Sequence, residues 1–160
     1  MKNSTAAMVA GVPVIAAEVL GGRFAPTPSH PATAAWYARL QKSPLTPPGP
    51  VFGAAWAVLD GLLWFAGARI LTRPPTMARN VALGLWGLNV LGVGGFSWVL
   101  FGKKDLGAAL GVTAGMVATS AGFVGVARIV DRKAAVATLP LAIWVGFAFL
   151  LQEELWRRNR

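Results

Sequence analysis

Residues 134–151 read AAVATLPLAIWVGFAFLL, a run without one charged side chain. It continues through Gln152-Glu153-Glu154 to Trp156 and is preceded by Arg132-Lys133. The hydrocarbon core of a bilayer is ~30 Å thick and is crossed by about 20 helical residues. A segment from about 134 to 156 therefore has the length and the apolar content of a spanning helix. Four further stretches upstream have the same character, at about 5–24, 51–71, 80–101 and 106–129. Charge or proline closes them: Arg23, Arg73-Pro74-Pro75, Lys103-Lys104-Asp105, and Arg128 to Lys133. In lipid every backbone N–H and C=O must find its partner inside the segment, which selects helices. The expectation is an all-α integral membrane protein, a five-helix transmembrane bundle forming one domain over residues 1–160.

Composition excludes the main alternatives. The chain is 55% hydrophobic and 13% charged, roughly half the charge fraction of a soluble domain. A soluble core in so short a chain could not bury five apolar runs. Cysteine is absent, which removes disulfides, thiolate metal sites and a Cys nucleophile. The net charge of +9 would suggest nucleic acid in a soluble protein. Here the cations sit at the ends of apolar runs, facing lipid head groups, and no nucleic-acid partner is expected. The first segment has the Lys2-then-apolar pattern of a signal peptide. Its length, Glu18 and the poor cleavage match at Gly21-Gly22-Arg23 favour a retained helix. With five spans the cations divide seven (Lys2, Arg69, Arg73, Arg79, Arg128, Arg132, Lys133) against eight. The positive-inside rule therefore leaves orientation open.

The long connection, residues 25–50, holds Pro26, Pro28, Pro31, Pro44, Pro47, Pro48 and Pro50. Such density forbids a continuous helix. Between the prolines, residues 32–41 have room for one short helix carrying Trp36 and Tyr37, as part of a lid over one end of the bundle or of a surface loop. Gly107, Gly111 and Gly115 form two overlapping GxxxG units in the fourth segment, and the third carries Gly84, Gly87, Gly92, Gly94 and Gly95. Small residues at this spacing let helices approach closely, either inside the bundle or along a homodimer seam.

Glu18 and Asp60 are expected near the middle of the first and second segments. A carboxylate at the bilayer centre costs roughly 2.5–3.5 kcal/mol on insertion scales and by default marks a functional site. Phe52, Trp56 and Asp60 are spaced by four and share a helix face, as do Pro140, Trp144, Ala148 and Gln152. Asn89 is the polar residue of the third segment. Two aromatic faces with a few polar groups describe an apolar pocket; the alternative is that Glu18 and Asp60 share a proton with no ligand. Catalysis finds little support. His30, the single histidine, lies among prolines with no Ser-His-acid set around it, and Glu153-Glu154 reads as (i, i+4) pairing with Arg157 and Arg158.

The ordered motifs Trp36-Tyr37-x-x-Leu40-x-Lys42, Pro44-x-x-Pro47-Pro48 and Phe52-Gly53-x-x-Trp56-x-x-Leu59 resemble the signature of the TspO/MBR family. Gly22-Arg23-Phe24, Leu100-Phe101-Gly102 and the terminal Leu139-Pro140-x-x-x-Trp144-x-x-Phe147-Ala148, Leu151, Trp156-Arg157 and Asn159 extend the likeness over nearly the whole chain. The resemblance implies a five-helix membrane bundle, often dimeric, that is multi-pass in a bacterial membrane. Its pocket near the long loop would bind porphyrins or other tetrapyrroles, sterols, or isoprenoids such as carotenoids, with no cofactor required. Carried onto this chain, that pocket would draw on Phe52, Gly53, Trp56, Asp60, Val93, Phe96, Ala108, Gly111, Trp144, Ala148 and Leu151, and beside them Asn89 and Arg23 are expected, with Asp60, to orient the polar ends of a ligand. The chain departs from the family pattern at Ser43 and Leu45 in the loop, Asp60 in place of a tyrosine, Asn89, Val93 and Phe96 in the third segment, and Gln152. The expected function is a binding or regulatory membrane protein for apolar ligands, with partners among lipids, a second copy through the Gly-rich helices, or a larger membrane complex. The alternatives are an accessory subunit of a pigment-bearing complex and, weakest, an enzyme degrading tetrapyrroles.

Overall fold

Every apolar run becomes a helix, and local chemistry sets where each begins. The computed structural model describes residues 1–160. Helix α1 is Asn3–Gly22, α2 Pro31–Arg39, α3 Gly49–Leu71, α4 Met77–Ser97, α5 Leu106–Val130 and α6 Arg132–Arg158. All but α2 are long and apolar enough to span a bilayer. Thr76, Asp105 and Asp131 cap α4, α5 and α6, each accepting from the backbone N–H three residues on, at 3.1, 2.9 and 3.0 Å. Pro31 and Pro50 occupy the first turns of α2 and α3, where a missing N–H costs nothing. Helix α4 runs on into a π-helical turn, Trp98–Gly102, which no sequence signal announced.

The helices close a ring in the order α1, α3, α6, α5, α4 and back to α1, each packed on its two neighbours. Helix α1 contributes Ala6, Ala10, Val14 and Ala17 to the interior, so it is an integral member of the bundle. The interior is one cluster built around Leu63, Ile70, Trp86, Met116, Phe123, Leu141 and Val145. Two glycines fix helix spacing. Gly67 lies against the Trp86 indole, whose Nε1 donates to the Leu63 carbonyl at 2.9 Å. Gly11 lies against the Trp64 indole, whose Nε1 donates to the Ala7 carbonyl at 2.6 Å. A side chain at either glycine would push α3 off its neighbour. Outside the ring, Val12, Ile15, Val58, Leu91, Ile143 and Leu150 stand exposed; they would be a liability in water and suit a lipid surround.

Two expectations change. Glu18 is not at mid-helix: it stands one turn from the end of α1 and is exposed, whereas Asp60 does fall at the centre of α3. The GxxxG run does not pack inside the bundle as a unit. Gly111 and Gly115 are exposed with nothing within 4 Å of where a Cβ would stand, while Gly107 touches Trp156 and Gly122 touches Leu85.

Candidate functional site

The prolines of the long connection bring α2 back over one end of the ring. Trp36, Tyr37 and Leu40 pack on a small cluster of Leu100, Ala109 and Leu155, with the Tyr37 and Phe101 rings edge to face at 5.3 Å. Lys42 lies over Tyr37 at 4.7 Å and Lys104 over Trp36 at 5.6 Å, contacts that favour the cation by its attraction to the ring face. Burial pushes the Tyr37 phenol pKa up. The Asn159 side chain fastens the far end of α2: its Oδ1 accepts from Gln41 N–H at 2.9 Å and its Nδ2 donates to the Gln41 carbonyl at 3.0 Å. Nδ2 also donates to the Leu155 carbonyl at 2.8 Å. The connection is thus an ordered cover anchored to α6. His30 sits at its start as a half-buried loop residue, with Nδ1 3.0 Å from the Thr27 hydroxyl.

Where α3 faces α6 lies an aromatic wall. Phe52 meets Trp144 at 5.5 Å and Trp56 at 6.5 Å, and Trp144 meets Phe147 at 5.8 Å. The spacing of four that aligned Phe52 with Trp56, and Trp144 with Ala148, places these rings where α3 faces α6. Phe147 belongs to the wall and was not anticipated; its position three residues after Trp144 is the signal that was available. Farther along α3, Asp60 is buried, and no N–H or hydroxyl reaches its carboxyl; its hydrogen-bonding neighbour is another carboxyl. Glu18 of α1 is its acidic neighbour. The Trp86–Leu63 bond sets the register of the antiparallel α3 and α4, so that three residues back along α3 and three residues on along α4 Asp60 and Asn89 fall at similar heights. Asn89 is fully buried; its Nδ2 donates to the Leu85 carbonyl at 2.8 Å, and its Oδ1 has no partner. The Trp144 Nε1 is likewise buried and unpartnered.

The remaining residues divide. Ala148 is buried, Val93 is half-buried against the main cluster, and Leu151 is half-buried. Phe96 packs with the small cluster under α2. Arg23, Gly53, Ala108 and Gly111 are exposed, and no Cβ contact would arise at Gly53 or Gly111. Gln152 is committed to structure: it is buried and its Nε2 donates to the Leu106 carbonyl at 3.0 Å, tying α6 to the start of α5.

The opposite end of the ring carries a feature visible only in three dimensions. Asp131, buried between α5 and α6, accepts from Arg69 Nε at 3.0 Å and from the Arg73 guanidinium, besides capping α6. Burial alone would raise its carboxyl pKa. The hydrogen bonds from Arg69, the Ala134 N–H and Arg73 outweigh that and hold it well below the usual carboxylate range.

Residues 9–157 match the sequence model of the TspO/MBR family. The translocator protein of Ovis aries is 28% identical over 130 residues, covering 78% of this chain and 75% of that protein. The translocator protein of Bos taurus matches with the same identity and coverage.

Proposed function

The chain belongs to the TspO/MBR family and is an integral, multi-pass membrane protein, and from that premise we propose that it binds a flat or elongated apolar ligand, a tetrapyrrole or an isoprenoid, between α1, α3, α4 and α6. The observation that carries this reading is the wall of Phe52, Trp56, Trp144 and Phe147 where α3 faces α6, together with buried polar groups at Asp60 of α3, Asn89 of α4 and Trp144 of α6. Aromatic surface with a few free polar atoms is how small-molecule sites combine affinity with orientation. The chain presents no nucleophile-and-base set beside this wall, so the function is binding, with sensing or transport as its use.

The experiment is a titration of protoporphyrin and of a carotenoid against tryptophan fluorescence in detergent micelles. Saturable quenching that weakens in Trp56→Phe, Trp144→Phe and Asp60→Ala supports the pocket. Quenching unchanged by all three substitutions counts against it. A second reading, an accessory subunit or a second copy docked in the bilayer, draws on the exposed small-residue face of α5 at Gly111, Ala114, Gly115 and Ala118. A stoichiometric partner retained in mild detergent would favour it; a monomer alone would count against it.

A further inference from the structure

The two ends of the ring carry similar numbers of cations and dispose of them differently. At the end where α2 lies, Arg157 and Arg158 pair with Glu153 and Glu154. Lys42, Lys103, Lys104 and Arg160 rest on aromatic rings. At the opposite end Asp131 is the only carboxylate, and Arg69, Arg73 and the Ala134 N–H already engage it. Three further cations flank the same α5–α6 turn: Arg128, Arg132 and Lys133. All three are exposed, and none forms an ion pair, a side-chain hydrogen bond or a ring contact. Arg132 and Lys133 line an open cleft of about 480 Å³ whose other walls are Val136 and Ala137.

Beyond these cations the outer surface turns apolar. Arg132, Val136, Leu139 and Ile143 follow one another at helical spacing along one face of α6, and the three apolar members stand exposed. We propose that this corner binds one anionic phospholipid, with its phosphate against Arg128, Arg132 and Lys133 and an acyl chain along Val136, Leu139 and Ile143. The headgroup carries the selectivity, because an acyl chain gains little by leaving one apolar surround for another. A phosphate offers acceptor oxygens only, and the guanidinium fork meets two of them at once. A choline headgroup brings a cation of its own to a corner where Arg69, Arg73, Arg128, Arg132 and Lys133 surround one carboxylate, and like charge disfavours it. Basic clusters at the membrane boundary attract anionic lipid. Here the carboxylates and rings that occupy cations at the other end are missing. The site is separate from the aromatic wall and stands whatever that wall binds.

Native mass spectrometry of the full chain in uncharged detergent tests this, with phosphatidylglycerol and phosphatidylcholine of identical acyl chains added in turn. Phosphatidylglycerol is expected to bind roughly 10-fold or more tightly than phosphatidylcholine, since each cation beside an anionic lipid contributes about fivefold. The double variant Arg132→Gln, Lys133→Gln loses most of that preference. The double variant Lys103→Gln, Lys104→Gln removes the same charge from the other end and keeps it. Inorganic phosphate in large excess leaves the lipid in place. Equal binding of the two lipids to the unaltered protein overturns the proposal. So does an equal drop in both double variants, which would mean a general attraction of charge with no site. Displacement by inorganic phosphate overturns it as well and assigns the cations to a free anion. The comparison of the two lipids on the unaltered protein decides the matter even if a variant fails to fold.

Discussion

Asp131 and Asp60 are both buried, at 5% and 4% exposure, and their surroundings are opposite. Asp131 stands at the corner where α3 meets the α5–α6 turn and is fully engaged by Arg69, Arg73 and the Ala134 N–H. Asp60 stands at the middle of α3 with no N–H or hydroxyl donor, its hydrogen-bonding neighbour being the Glu18 carboxyl. A carboxylate surrounded by donors closes a structure. One paired only with a second carboxyl is a group the fold tolerates, and tolerated cost concentrates where something else is to be bound. The same substitution, Asp to Asn, should therefore act on stability at one site and on ligand choice at the other.

The largest effect belongs to Asp131→Asn. It removes the charge from hydrogen bonds that hold three helices together, and stability should fall by roughly 1.5–3 kcal/mol, the range for hydrogen bonds to a charged group. Arg69 and Arg73 are partly exposed and can turn to water, which keeps the loss below that of a fully buried pair. Unfolding in detergent followed by helical circular dichroism measures it. The pH dependence gives a second reading. The folded carboxyl sits below its ordinary pKa, so the unfolded chain binds more protons and stability rises with pH. The contribution is complete above a pH of about 4, the ordinary carboxylate value, and drains away as pH falls below it. The Asp131→Asn curve should lack that acid limb; an identical limb in both proteins would show that Asp131 is not the group responsible.

An intermediate effect tests the cover. Asn159→Ala removes both bonds to Gln41 and the bond to Leu155. The two bonds to Gln41 are exposed and the one to Leu155 half-buried, and the loss should be about 1 kcal/mol, confined to the connection. Faster hydrogen exchange at the Gln41 amide and faster proteolysis within residues 25–50, with no change in global unfolding, is the expected pattern. If global stability falls as far as in Asp131→Asn, the cover is part of the bundle's frame and the two ends do not differ in kind.

How far the sequence alone reaches follows the same division. The spans are legible because lipid imposes one local rule, a long uncharged run ended by Arg, Lys or Pro, and each run contains that information by itself. The short helix α2 is legible for a similar reason, since Pro31 starts it and the prolines beyond it confine it. The faces of Phe52-Trp56-Asp60 and of Trp144-Ala148 follow from helical spacing. The Asp131 corner is not legible, because its arginines lie 62 and 58 residues away in the chain and no local pattern pairs them. The Asn159–Gln41 clasp, 118 residues apart, fails for the same reason. GxxxG spacing aligned Gly111 with Gly115 but was silent on direction, since periodicity defines a face and only neighbouring helices define which way it looks. The π-helical turn at Trp98–Gly102 had no marker.

The smallest effect on stability is the one that cuts deepest. Asp60→Asn removes a carboxyl whose one hydrogen-bonding neighbour is the Glu18 carboxyl, and the new amide can donate to that same carboxyl, so the folded protein gives up no net hydrogen bond. The amide is nearly the same size, so packing around Leu63 and Trp56 is undisturbed. The potential charge beside Glu18 disappears, which relieves repulsion or desolvation whichever of the pair bears the proton. Water solvates the Asp carboxylate of the unfolded chain more strongly than the Asn amide, which also favours the folded state of the variant. These terms add to a change of less than about 1 kcal/mol, directed toward greater stability, opposite in sign to the change at Asp131. Measured in the same detergent and by the same unfolding signal, the two variants form a direct contrast. A loss in Asp60→Asn as large as in Asp131→Asn would mean that Asp60 is held by a partner in the folded membrane protein. The acceptors at the bundle centre would then be part of its frame, with nothing left over for a ligand to answer.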